Sequence, residues 1–228
     1  MELFAAVSEI SLFVAILLSI YIGYYVYKYP QPMKIMNIVW PLTVLWSGVL
    51  GFWAFFAFGR SKEHDMENMG GSMKNMPETS NFAEKVALST FHCGAGCTLA
   101  DIIGESLGRS FLPLSGLSGI IWMWALDYIL ALIIGAYFQY AAIRPMLSKE
   151  TSGDVFIKAL KIDFWSLTFW QIGMYFSSYL FLFVFFQQQI SHLSLSFWFV
   201  MQIAMCAGFL FAYPINWFLI RKGVKPAM

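Results

Sequence analysis

Long apolar runs follow one another along almost the whole chain, and this constrains the fold more than any other feature. The first run extends from Leu3 to Tyr27, broken only by Ser8, Glu9, Ser11 and Ser19. The second extends from Ile35 to Phe58, with Pro41 near its start. A polar stretch from Gly59 to Lys85 separates it from a weakly hydrophobic third segment, Val86 to Gly108. Further runs cover Gly119 to Ile143, Phe164 to Phe186 (preceded by an amphipathic stretch from Asp154) and Phe197 to Ile220. A helix needs roughly 20 apolar residues to cross a bilayer. The 228 residues therefore hold five or six membrane-embedded helices, and the expected fold is an all-α polytopic helix bundle.

Composition agrees. Hydrophobic residues make up 59% of the chain and charged residues only 12%, about half the share of a soluble domain. A net charge of +1 gives no basic field to draw in nucleic acid, and three cysteines make no disulfide framework. The first run lacks a basic leader and a small-residue cleavage site, so it is expected to stay as an additional N-terminal helix, residues 1–34. Residues 35–228 are expected to form the main membrane domain, with a Met-rich loop at 59–85.

Basic residues set the expected orientation in the cell membrane. Lys28 and Lys34, then Arg144, Lys149, Lys158 and Lys161, then Arg221, Lys222 and Lys225 form three clusters, all placed in the cytoplasm by the positive-inside rule. The Met loop, of mixed charge, is expected outside. This arrangement leaves the third segment no complete crossing. It is expected to re-enter or to sit buried as a half-helix, because His92, Asp101, Glu105 and four glycines suit contact with other helices better than with lipid. The pair Lys161 and Asp163 marks the expected inner boundary.

The third segment also carries the candidate chemistry. On a helix, residues four apart share a face. One row is Ser89, Cys93, Cys97, Asp101 and Glu105; its neighbour is His92, Gly96, Ala100, Gly104 and Gly108. Two thiols one turn apart suit a soft ion such as Cu(I), with His92 joining if the glycines distort the turn. The alternative is that both cysteines are small buried packing residues. Thiol exchange is disfavoured, since it usually uses Cys-x-x-Cys. Asp101, Glu105 and Asp127 are candidates for balancing charge or carrying protons.

The polar loop offers a second soft-donor group. Met66, Met69, Met73 and Met76 follow His64 at spacings that suit thioether capture of Cu(I). The same spacing fits one face of an interfacial helix, but Gly70 and Gly71 interrupt it. Met174, Met201, Met205 and Cys206 are candidate lining for a soft-metal path, with ordinary packing as the alternative. A haem is disfavoured, because only His92 lies inside an apolar run.

The run Thr90-Phe-His-Cys-Gly-Ala-Gly-Cys-Thr-Leu-Ala-Asp-Ile-Ile resembles the signature of a domain-of-unknown-function family of bacterial and archaeal polytopic membrane proteins. Trp40-Pro-Leu-Thr, Phe58-Gly-Arg, Asp127-Tyr-Ile-Leu-Ala, Phe138-Gln-Tyr, Arg144-Pro-Met, Trp170-Gln-Ile-Gly-Met, Met201-Gln-Ile-Ala-Met and Tyr213-Pro-Ile-Asn-Trp add to it, so that the resemblance covers Trp40 to the C-terminus. The resemblance implies an integral membrane protein with no settled activity and an association with copper handling. The expected function is Cu(I) binding, transport or tolerance without a catalytic step, with partners in the bilayer and in an extracytoplasmic copper protein. A membrane thiol/quinone redox subunit and a purely structural subunit stand as alternatives.

Overall fold

In a computed structural model the described residues are 2–60, 81–108, 116–144, 147, 150–187, 190–191 and 194–226, and every regular element among them is helical. They form α1 (Glu2–Lys28), α2 (Met36–Ser47), α3 (Val49–Ala54), α4 (Phe82–Ile103), α5 (Gly116–Ile143), α6 (Ser152–Tyr179) and α7 (Leu195–Arg221). Three of them run on into π-helical turns, Phe55–Gly59 after α3, Gly104–Gly108 after α4 and Leu180–Phe185 after α6. The amphipathic stretch from Asp154 is the first part of α6, with Thr151 accepting a hydrogen bond from the Asp154 N–H as its cap. Five segments are long and apolar enough to cross a membrane: Glu2–Lys28, Phe82–Ser106, Ile121–Ile143, Ser152–Phe185 and Leu195–Arg221.

The second apolar run is not one continuous helix. Gly48 adopts φ 57° and ψ −129°, a backbone conformation that an L side chain strongly disfavours. Its N–H bonds to the Val44 carbonyl at 2.8 Å and its own carbonyl accepts from Phe52 N–H at 3.1 Å, so the chain reverses with both backbone groups of the glycine paired. As a result Trp40 meets Phe55 edge-on at 5.1 Å. In one straight helix the two residues would lie about 22 Å apart. Residues 36–59 are thus a helical hairpin whose first arm, 12 residues long, measures about 18 Å. Tyr21 against Phe52 and Tyr25 against Phe55 hold the returning arm along α1.

The third segment, expected to be the incomplete one, is continuous. The 22 residues of α4 measure about 33 Å, enough for a hydrocarbon core of about 30 Å. It is the most enclosed of the long helices, with 72% of its most apolar window buried. That burial explains its weak hydropathy, because α5, α6, α7 and the hairpin cover it in place of lipid. Close backbone approach follows from its small residues: a side chain on Gly96 would meet the Gly135 backbone of α5. Trp170 of α6 lies fully buried against both Gly94 and Gly208.

Pair contacts fix the direction of each helix. Phe82 stacks edge-on with Trp217, and the Tyr213 hydroxyl donates to the Ala83 carbonyl, so α4 starts where α7 finishes. Asn216 bonds to Ser166 and Ser178 approaches Met201, so α6 and α7 are antiparallel. Ser11 bonds to Gln202 and Phe4 meets Phe199, so α1 and α7 run the same way. The chain therefore leaves α3 and enters α4 at the end of the bundle that carries Arg221. The second run thus turns back within the bundle, where one continuous helix was expected.

Candidate functional site

The four-residue rhythm of α4 becomes a buried file. Ser89, Cys93 and Cys97 are fully buried, and Asp101 and Glu105 nearly so. The row read on α5 turns inward as well, with Met123, Asp127, Ala131, Gly135 and Gln139 all buried. A side chain on Gly104 would collide with the Asp127 Oδ1, which places that carboxyl against the π-helical turn after α4. Asp101, near the end of α4, precedes that turn and Glu105 lies within it.

Cys93 is the best-connected member. Its thiol donates to Asp163 Oδ1 at 3.0 Å, with the Ser89 carbonyl as the competing acceptor at 3.3 Å. Ser166 Oγ lies 3.0 Å from the sulfur, and Asn216 Nδ2 donates to the same hydroxyl at 2.7 Å. The ammonium of Lys225 completes the group, donating to Cys93 Sγ at 2.9 Å and to Asp163 Oδ1 at 2.7 Å. Both ends of this ion pair are buried, at 0% and 1% side-chain exposure. Burial works against the Lys225 charge, but Asp163 and Cys93 outweigh it and hold the amine above the ordinary lysine range. Asp163 is therefore no boundary partner of Lys161, which is exposed.

Cys97 lies one turn further along. It is fully buried, on the face of α4 that also carries Cys93 and Asp101. Beyond it a cavity of about 290 Å³ opens between α1, the hairpin tip, α4 and α7. Thr98, Asp101, Met201, Gln202 and Met205 line it, with Trp46 at the tip. Two of its buried polar atoms, Asp101 Oδ1 and Trp46 Nε1, have no hydrogen-bond partner. Gln202 is committed elsewhere, donating to the Leu45 carbonyl at 2.8 Å and accepting from Ser11.

The remaining candidates fall differently. His92 is fully buried but turned away from Cys93, edge-on to Phe138 at 6.0 Å, with neither ring nitrogen hydrogen-bonded. Among the described residues no three His, Cys, Asp or Glu side chains form a metal-holding group. Met174 is buried in the core and Cys206 is half-buried; neither lines the cavity. His64, Met66, Met69, Met73 and Met76 lie outside the described residues. Asp163, Ser166, Asn216 and Lys225 were not singled out as site residues by the sequence. Asp163 at the head of an apolar run and Asn216 inside one were the available signals; Lys225 gave none.

Neither a curated protein nor a solved structure matches the chain. A family model, Domain of unknown function (DUF4396), matches residues 84–225, from the first turn of α4 to Lys225 itself. The chain belongs to that family, and its matched part carries the whole Cys93–Asp163–Lys225 group.

Proposed function

We propose that this protein is a membrane carrier of a soft monovalent cation, Cu(I), with no catalytic step of its own. The observation that supports the reading is the meeting of Met201, Met205 and Asp101 in one cavity, which Thr98, the residue after Cys97, also lines. Thioethers and thiols select Cu(I), and an ion that accepts few ligands needs no closed three- or four-donor cage. The path runs from the cavity past Cys97 to Cys93. Asp101, Glu105 and Asp127 balance the charge of the cargo or exchange it for protons. The cavity lies at the tip of the hairpin, where movement of a short element can open or close it.

The basic residues Lys28, Lys34, Lys85, Arg144 and Arg221 flank the helix ends that gather at one side of the bundle. The positive-inside rule makes that side cytoplasmic. Under this placement in the cell membrane the Met loop meets copper inside the cell, where reducing conditions keep it as Cu(I). An extracytoplasmic copper partner would dock at the opposite end.

Uptake of Cu(I) into vesicles holding the purified protein and an internal copper chelator tests the reading. Met201→Leu/Met205→Leu and Cys93→Ser/Cys97→Ser are each expected to slow uptake by about tenfold or more, the effect of losing about 1.4 kcal/mol of binding. Equal rates in native, variant and protein-free vesicles would overturn it.

A further inference from the structure

A cation already sits inside this bundle, and it belongs to the chain. After α7 the backbone turns through Gly223, at φ 70°, with Gly223 N–H bonded to the Ile220 carbonyl and Val224 N–H to the Leu219 carbonyl, both at 3.0 Å. This left-handed turn, a common helix ending, sends the tail back between the helices. The Lys225 side chain is completely buried there, with its ammonium between a thiol and a carboxylate.

The surroundings of that ammonium have more acceptors than it uses. It makes two hydrogen bonds, to Cys93 Sγ and Asp163 Oδ1, of the three its N–H groups allow. Asp163 Oδ2 on the same carboxylate, Asn216 Oδ1 on the amide that holds Ser166, and Ser89 Oγ one turn before Cys93 are buried and have no partner. Buried oxygens without partners are costly unless something fills the role of a donor. A sulfur, a carboxylate and neutral oxygens around one positive charge make a donor set for a thiophilic ion. A thiophilic ion takes Cys93 as the thiolate, so the thiol proton passes to Asp163 Oδ1, the acceptor it already faces. With that proton kept in the site, ammonium, carboxylate and thiol give way to a monovalent ion, a carboxylic acid and a thiolate, and the buried charge stays at zero.

We propose that Cys93, Asp163, Ser166 and Asn216 form a binding site for a thiophilic monovalent cation, which Lys225 closes as a tethered competitor. Cargo and tail exchange at one place. Arrival of the ion frees the ammonium, and the tail swings out at the end of the bundle that carries Arg221. Return of the ammonium expels the ion, and the proton goes back from Asp163 to the Cys93 thiol. Only the identity of the natural cargo rests on the carrier reading above; the exchange itself rests on the ion pair and the unpaired oxygens.

Ag(I), a redox-inert monovalent thiophile, is the probe. The full chain in mild detergent is treated with an amine-acylating reagent with and without Ag(I), and acylation at Lys225 is read by mass spectrometry of the C-terminal peptide. Lys225 is expected to be protected without Ag(I), acylated with it, and protected again in Cys93→Ser whether or not Ag(I) is added. In parallel, Lys225→Ala is expected to bind Ag(I) at least about tenfold more tightly than the native chain, and its Cys93 to react faster with a maleimide in a Cys97→Ser/Cys206→Ser background. Acylation that ignores Ag(I), or protection that persists when Ag(I) saturates Cys93, would overturn the proposal. If Ag(I) exposes Lys225 but vesicles take up no Cu(I), the exchange site stands and the carrier reading falls.

Discussion

At the scale of single residues, the pair of Asp163 and Lys225 dominates. A buried ion pair gains little over an apolar replacement of both partners, but removing one partner strands a charge. Asp163→Ala is therefore expected to destabilise the protein by about 3–5 kcal/mol, and Asp163→Ala/Lys225→Met by clearly less. Thermal unfolding in detergent checks this, and equal losses for the single and double variants would show that the pair is not coupled. The sequence made the α4 side of this group legible, because the spacing of Ser89, Cys93, Cys97, Asp101 and Glu105 already put them on one face. It could not make the other side legible. Asp163 stands next to Lys161 in sequence but bonds to a lysine 62 residues away, and only the packing of α6 against α7 brings that partner in. His92 shows the limit in the other direction. It shares the thiol-bearing turn in sequence yet faces Phe138, one helical step around.

At the scale of elements, the hairpin and α4 exchange the roles that hydropathy gives them. The hairpin residues are apolar enough for a crossing, and nothing in their mean hydropathy records that the chain turns back at Gly48. Conversely α4 is poor in apolar side chains because it is covered by protein on most sides. Burial, not the number of residues embedded, sets how hydrophobic a spanning helix must be. The sequence did carry a trace of the answer, since the clusters of positive charge left an odd number of crossings between them. Only the segment to which the missing crossing was assigned had to change. Gly48 is the test. Gly48→Ala forces a side chain into a disfavoured backbone region and is expected to cost about 1–3 kcal/mol, although no atom stands within 4 Å of its added carbon. Gly153→Ala, equally open in space but in the first turn of α6 at ordinary helical geometry, is expected to leave stability unchanged or raise it by about 0.5–1 kcal/mol. Losses of equal size at both positions would contradict the strained turn.

At the scale of the whole molecule, five segments long and apolar enough to cross a membrane and one hairpin bring the start of α4 and the end of α7 to one end of the bundle. A cysteine at position 69 (Met69→Cys) and one added after Met228, in a chain otherwise without cysteine, are expected to react with an impermeant maleimide from the same side of sealed vesicles. Labelling from opposite sides would contradict the hairpin. The family match divides the molecule at the start of α4, with α1, the hairpin and the Met loop before it. The thiol, the carboxylate and the lysine fall within the matched part, and so do all cavity residues of α4 and α7. The buried Cys93–Asp163–Lys225 group thus lies in the part that the family model matches. The central claim is that this enclosed file of sulfur and carboxyl groups holds a soft cation. The most direct measurement is copper per chain, by elemental analysis, after the reduced protein has been loaded with Cu(I) in mild detergent and desalted. Copper bound at about one ion or more per chain, retained when the four loop methionines are replaced by leucine and lost in Cys93→Ser/Cys97→Ser, is the predicted result. Copper that disappears with the loop methionines and is indifferent to the two cysteines, or negligible copper in every form, would contradict it.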